Sequence, residues 1–289
     1  MPIQDVVRPP HLFTVDVEEY YHAAALAPYL PRETWPTLNK RVEIGMDMLL
    51  DLLKHHSAKA TFFVLGPVAE ANPSLIRRMV DDGHEVASHG WSHRSLTELT
   101  PSEFSEEAVR SRNVLSDISG QPILGFRAPN FSVRRSCEWA FDVRLEAGYT
   151  YDASVFPSRG SGADFPGEEI YVLKRPAGSL LEVPMCCATI GTVKIPAAGG
   201  AWFRLLPYWL SDRALKQAEE RGKPGMFYIH PWELDADQPR VRTNVKTRIR
   251  HYGGIDRVAN RLQRLLTDYH FTSIESWLAA DANQPRASV

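Results

Sequence analysis

The sequence predicts an α/β protein, a closed or nearly closed (β/α) barrel carrying a β-rich insertion. Three observations lead there. Strand-like and helix-like periodicities alternate along most of the 289 residues, as in a mostly parallel sheet with helices outside it. The length suits a barrel, typically about 250 residues. Several strands also end in a residue able to do chemistry, and in a parallel barrel those ends share one rim. An open doubly wound sheet is the competing architecture.

Taken in order, Leu12–Val17 reads as the first strand, and Val42, Met46, Leu49, Leu50 and Leu53 form one helical stripe over 42–55. Residues 60–65 are apolar and β-rich, suiting a strand buried on both faces. Asn72 and Pro73 read as a cap and first helical residue, with Leu75, Ile76, Met79 and Val80 as the stripe and Gly83 as the stop. Glu85–Ser88 is the next strand. Thr100-Pro101-Ser102-Glu103 is a capping box that opens a helix ending near Gly120. Strands at 123–127 and 149–152 flank a helix over 136–147 closed by Gly148. Later, 225–230 and 271–274 read as strands, with helices at 212–221 and 256–268. The stretch 154–200, rich in Gly and Pro, breaks the rhythm with short β segments at 170–173, 180–184 and 188–195. It is expected to be an excursion from the barrel wall within a single domain spanning 1–289, with 200–280 completing the barrel.

Composition narrows the function. Hydrophobic residues make up 44% and charged residues 24%, enough for a sizeable core. With 33 basic and 35 acidic side chains the net charge is −2, which lends no support to general polyanion binding, so no nucleic-acid partner is expected. Cys137, Cys186 and Cys187 are too few for a disulfide framework and lack metal-site spacing, pointing to core residues in a reducing compartment. The start, MPIQDVVRPP, does not read as a signal peptide, and no apolar run approaches a membrane span. A cytoplasmic location is the expectation. Dinucleotide-fold, P-loop and α/β-hydrolase glycine motifs are absent.

The chemistry lies at the strand ends: Asp16-Val17-Glu18-Glu19, His89-Gly90-Trp91-Ser92-His93, Arg127-Ala128-Pro129, Asp152, and His230-Pro231-Trp232. A His-x-x-x-His pair alone is ordinarily two solvated loop histidines. Joined by a carboxylate, two imidazoles make a facial set suited to Zn²⁺ or another divalent metal ion, with positions left open for water and substrate. With Glu18 on the metal, Asp16 points to the same side of the strand and is free to accept a proton. Glu19 reads as a solvated strand end and His22 as structural. Arg127 is a turn anchor or a bidentate clamp that keeps Asp16 ionised. Asp152 is a cap or the carboxylate that orients His230, itself a core histidine or a catalytic acid.

In this order the residues resemble the NodB-homology polysaccharide deacetylase family. Its five motifs are matched by Thr14-Val15-Asp16-Val17-Glu18, His89–His93, Arg127-Ala128-Pro129, Tyr151-Asp152-Ala153-Ser154 and Ile229-His230-Pro231, over roughly residues 10–280. The resemblance implies a NodB-type distorted barrel and metal-dependent removal of N-acetyl groups from a sugar. Asp16 would be the base, Glu18, His89 and His93 the ligands of a divalent ion such as Zn²⁺, and His230 the acid, assisted by Arg127 and Asp152. One departure is visible: the family usually has two adjacent aspartates, whereas here Val17 separates Asp16 from Glu18, a spacing shared with peptidoglycan deacetylase-like and cyclic-amide hydrolase-like members.

The segments Trp202–Pro207 and His230–Asp235, with the Arg-rich stretch after them, resemble a narrower branch with a DUF3473-like C-terminal region that accompanies exopolysaccharide and exosortase systems. That similarity implies a cytoplasmic enzyme of exopolysaccharide biosynthesis acting on an N-acetylated glycan or lipid-linked oligosaccharide. Trp91, Trp202 and Trp232 are candidates for stacking on sugar faces, against a plain packing role. Five of the eleven residues from Arg240 to Arg250 are basic; such a run is ordinarily a solvated loop, and the alternative is contact with a pyrophosphate or with anionic lipid at a membrane periphery. Two rival functions remain: an allantoinase-like hydrolase of a small cyclic amide, and an inactive glycan-binding module. Oligomeric state is not legible.

Overall fold

The computed structural model describes residues 9–157 and 165–281, and the backbone of 287–288. The first eight residues and part of the 154–200 excursion lie outside that set. Strands β1 (His11–Val17), β2 (Thr61–Val64), β3 (Glu85–Ser88), β4 (Gly125–Phe126) and β5 (Tyr151–Asp152) lie side by side, parallel, in chain order. β6 (Tyr171–Arg175) and β7 (Gly178–Glu182) form an antiparallel hairpin whose second strand continues the sheet beside β5. β8 (Ala188–Ile190) and β9 (Val193–Ile195) make a separate two-stranded sheet. β10 (Met226–Ile229) returns to the free side of β1, β11 (Phe271–Thr272) pairs with the start of β1, and β12 (Ala287–Ser288) pairs with β6. The order is β10-β1-β2-β3-β4-β5-β7-β6-β12, and among the described residues no strand pairing joins its two ends. The barrel is distorted in that sense.

Among the described residues ten α-helices surround the sheet: α1 (Val42–His55), α2 (Gly66–Ala71), α3 (Pro73–Asp81), α4 (Pro101–Ser119), α5 (Trp139–Glu146), α6 (Gly200–Leu205), α7 (Tyr208–Glu220), α8 (Val245–Tyr252), α9 (Val258–Asp268) and α10 (Ile274–Ala280). The α1 stripe is wholly buried, and each such side chain contributes about 2 kcal/mol by leaving water. α4 begins where its capping box predicts: Thr100 Oγ1 accepts the Glu103 N–H at 3.3 Å, and Glu103 Oε2 accepts the Thr100 N–H at 2.8 Å. Gly120 closes it in the left-handed region, φ 67°.

Several expectations change. Asn72 does not cap α3 with its side chain; its Nδ2 donates to the Val68 carbonyl at 2.8 Å and closes α2, a helix the periodicity did not show. The strand read across 188–195 is a hairpin that turns at Gly191, φ 58°. The Arg-rich stretch is not all loop, because Asn244 Oδ1 accepts the Thr247 N–H at 2.8 Å and starts α8. β11 stops at Thr272, where Ser273 caps α10.

Side chains alternate along each strand, so the sheet has two unlike faces. Phe13, Val15, Val17, Phe62, Val64, Phe227 and Ile229 pack with the helices in the main core. Leu12, Phe63, Ala87, Met226 and Tyr228 belong to a smaller cluster on the enclosed face. Tyr20, Tyr21, Leu26 and Trp232 form a third, beside the mouth. α1 crosses the 3-10 turn Pro231–Leu234 at Gly45, where a Cβ would stand 1.9 Å from the Pro231 carbonyl oxygen. No side chain other than hydrogen fits between them.

Candidate active site

Period-two alternation places Thr14 and Asp16 of β1 on the enclosed face, with Glu18 just past the strand end. His89 follows β3 directly, Arg127 follows β4, and His230 follows β10. Asp16, Glu18, His89, His93, His230 and Trp232 line one cavity.

Glu18, His89 and His93, all buried, offer ligand atoms within 4.8 Å of one another. Glu18 Oε2 lies 2.6 Å from His93 Nε2 and 3.9 Å from His89 Nε2. His89 Nδ1 is 2.9 Å from the Arg127 carbonyl oxygen, which assigns the ring proton to Nδ1 and leaves the Nε2 lone pair facing the carboxylate. Trp232 Nε1 donates to Glu18 Oε1 at 3.2 Å, fixing its orientation. Two imidazoles, that of His89 with a preset tautomer, and one braced carboxylate fit a divalent cation. Burial pushes Glu18 up, yet the adjacent His93, with His230 and His22, outweighs it and holds the carboxyl well below its ordinary range. Burial lowers His89 to about 4, so the ring is neutral and able to ligate at neutral pH.

Asp16 is held through one oxygen. Arg127, fully buried, donates from Nη1 to Asp16 Oδ1 at 2.7 Å and to Thr14 Oγ1 at 3.0 Å, while its Nε donates to the Ala153 carbonyl at 3.0 Å. The expected bidentate clamp is therefore a single-pronged one, because the other donors of the fork are committed elsewhere. Oδ2 is left facing His230 Nε2 at 3.9 Å.

Asp152 does not orient His230. It sits one residue out of phase with Tyr151 and Ala153, which face the enclosed side, so its carboxylate points to the helix layer. There it pairs with Arg144 of α5 at 2.9 Å and accepts from Ser154 Oγ at 2.8 Å. The carboxylate beside His230 is Glu233, with Oε2 3.4 Å from Nδ1. Glu233 is in turn held by Arg204 Nε at 2.8 Å, and Arg204 donates to the carbonyls of Gly253 and Arg250. Burial lowers the His230 pKa, but Glu233, Glu18 and Asp16 prevail and raise it to about 9. Arg204 and His230 overcome burial at Glu233 and bring it to about 2. The residues that sequence reasoning missed here are Glu233 and Arg204. The available signal was His230-Pro231-x-Glu233, a capping-box spacing with proline at the first turn position.

Glu19 is not solvated: it is 2% exposed and accepts the N–H groups of Arg41, at 2.8 and 3.0 Å, and Val42, at 3.2 Å, at the start of α1. His22 is structural as expected; its Nδ1 accepts the Glu19 N–H at 3.1 Å and its ring stacks on His93. Among the three tryptophans, only Trp232 lines the cavity, and its faces are taken by His230 at 5.0 Å and His251 at 4.5 Å. It is a spacer, not an open platform for a sugar. His93, Asn130 and Phe131, also at the cavity, hold positive φ of 55°, 59° and 50°. Such strain in non-glycine residues gathers at functional sites.

Residues 40–151 match the family described as Polysaccharide deacetylase, and residues 153–279 match a domain of unknown function, DUF3473. The chain is 27% identical over 180 residues to a Peptidoglycan-N-acetylglucosamine deacetylase of Bacillus cereus, covering 57% of this chain and 63% of the relative. It is 31% identical over 127 residues to Peptidoglycan-N-acetylglucosamine deacetylase PgdA of Listeria monocytogenes, covering 41% of this chain and 27% of the relative. The matches thus span less than two thirds of either relative. Among solved structures, peptidoglycan deacetylase PdaC from Bacillus subtilis superposes with a TM-score of 0.53 at 17% identity, covering 96% of this chain and 94% of that one. PuuE allantoinase gives 0.61 at 18%, covering 97% and 96%. These two likenesses establish the shared fold.

Proposed function

We propose that this chain, a member of the polysaccharide deacetylase family with a DUF3473 C-terminal part, hydrolyses the acetamide of an N-acetylated glycan. The observation that carries the reading is the meeting of Glu18, His89 and His93 with Asp16 and His230 around one cavity. A divalent ion held by Glu18, His89 and His93 would polarise the amide carbonyl and make water a better nucleophile. Asp16 takes a proton from the attacking water at Oδ2, since Oδ1 is occupied by Arg127. His230 donates from Nε2 to the departing amine nitrogen, while Glu233 steadies the opposite edge of the ring at Nδ1. Water and amide are consumed; acetate and a free amino sugar leave.

The finer reading has its own supports. The His-His-carboxylate donor set favours zinc. Three free, buried cysteines accord with the cytoplasm. The DUF3473 match accords with the resemblance to exopolysaccharide-associated enzymes, and so with a glycan precursor, lipid-linked or free, as substrate. The test is acetate release from N-acetylated glucosamine oligomers by protein stripped of metal and then reloaded, run beside ring opening of allantoin. Acetate that appears only with metal supports the reading. Ring opening without acetate overturns it in favour of a cyclic-amide hydrolase, and metal-independent glycan binding without turnover overturns it in favour of a binding module.

A further inference from the structure

The cavity has a second border that the hydrolytic residues do not explain. Arg250 lies on its lining and is the last arginine of α8. The segment Arg240–Arg250 carries Arg240, Arg242, Lys246, Arg248 and Arg250 and no acidic residue, in a chain whose net charge is −2. None of Arg242, Lys246, Arg248 and Arg250 has an ion-pair partner among the described residues. The positive charge is therefore local and unneutralised.

Apolar side chains stand among these charges. Val245 and Ile249, four residues apart and so on one side of α8, are 60% and 55% exposed. Leu205, 38% exposed, closes against Gly253 just past the helix end, where a Cβ would meet its Cδ2 at 2.8 Å. The C-terminal turn of α8 is anchored: His251 and Tyr252 are buried, and the Arg250 carbonyl accepts Arg204 Nη2 at 3.0 Å. The helix is fixed to the body by its C-terminal turn and presents basic and aliphatic side chains outward. Its charge excludes a basic partner, and its two aliphatic residues have no use for a purely ionic one.

We propose that α8 is a docking surface for a bilayer bearing anionic lipid. Val245 and Ile249 enter between headgroups, and Arg242, Lys246 and Arg248 meet their phosphates. Because Arg250 joins this helix to the cavity, docking sets the mouth at the lipid surface, where a glycan carried on a lipid would be presented. The inference takes from the proposed function only the position of the cavity.

The test is cosedimentation of the full chain with phosphatidylcholine vesicles, with and without phosphatidylglycerol. Binding is expected only with phosphatidylglycerol and is lost as salt rises. It should weaken about tenfold or more in Lys246→Glu/Arg248→Glu. Val245→Asn/Ile249→Asn, which leaves every charge in place, should weaken it as well. Equal binding to both vesicles, no binding, or binding indifferent to both variants overturns the proposal. So does saturable binding of inorganic pyrophosphate with no vesicle binding, which would assign the strip to a soluble phosphate. Acetate release from a soluble oligosaccharide is measured in parallel and is expected to be unchanged in both variants. A chain that docks but releases no acetate fails the activity alone; one that releases acetate but does not dock fails this inference alone.

Discussion

Two buried arginine–aspartate pairs lie on opposite faces of the same sheet. Arg127 holds Asp16 at 2.7 Å on the enclosed face, and Arg144 holds Asp152 at 2.9 Å under α5. All four side chains are almost wholly shielded from solvent. Burial and ion-pair distance therefore do not distinguish the carboxylate proposed as the base from a structural one. The neighbours do. Asp16 keeps one oxygen turned to His230 and opens on the cavity, whereas Asp152 shares its surroundings with Glu182 and the rings of Phe126, Phe141 and Phe104 that pack on Arg144. One pair faces a place where substrate can stand; the other is sealed.

The sharpest way to break this contrast is His89→Ala, expected to abolish both bound metal and acetate release; metal analysis and turnover on the same sample decide it. Retained metal would remove His89 from the ligand set. Asp16→Asn comes next, with turnover down about a thousandfold or more and metal retained, as befits loss of a general base. On the sealed face the effect should fall on stability. Burial first, and then the charge of Asp152, push the Glu182 carboxyl well above its usual range, so Glu182 is the protonated partner. In Asp152→Asn it can ionise and take over Arg144, softening the loss. The double variant Asp152→Asn/Glu182→Gln removes both carboxyl groups, leaving Arg144 without an anion, and should cost about 3–5 kcal/mol in denaturant unfolding, with little change in kcat of the folded protein. A large kcat loss in that variant would erase the distinction between the faces.

The smallest effect concerns the far end of the enclosed face. Glu85 is buried there, accepts from Thr61 Oγ1 and Tyr151 Oη, each at 2.6 Å, and burial raises it to about 7. Its folded pKa lies above the unfolded value of 4.5, so the folded state holds the proton more tightly. The contribution is whole below pH 4.5 and is lost as pH rises through about 7, by about 3 kcal/mol at the most. Unfolding midpoints at about pH 5 and about pH 8 should differ by less in Glu85→Gln than in the wild type.

Much of this was legible in the sequence because local rules carried it. The α1 stripe, the Thr100–Glu103 box and the short apolar strands each state their own structure, and their order places the strand ends on one rim. The meeting of Asp16, Glu18, His89, His93 and His230 at one cavity follows from that order. What escaped was relational. Asp152 stands in a stretch that resembles a family motif, and only its phase against Tyr151 and Ala153 shows that it faces the helices. Glu233 lies on a turn beyond a strand, and its bond to Arg204 joins residues 29 apart that no periodicity links. Short strands such as β4 and β5 were read too long, since apolar flanks resemble strand wherever tertiary packing buries them.

Gly45 gives the fold an unusual vulnerability. In most helices an exchange of glycine for alanine is a gain of about 1 kcal/mol. Here the added methyl would have to displace the Pro231 carbonyl, so Gly45→Ala sets helix propensity against a backbone clash next to His230. The clash outweighs that gain, so a selection for thermal robustness and a selection for turnover would both reject the exchange.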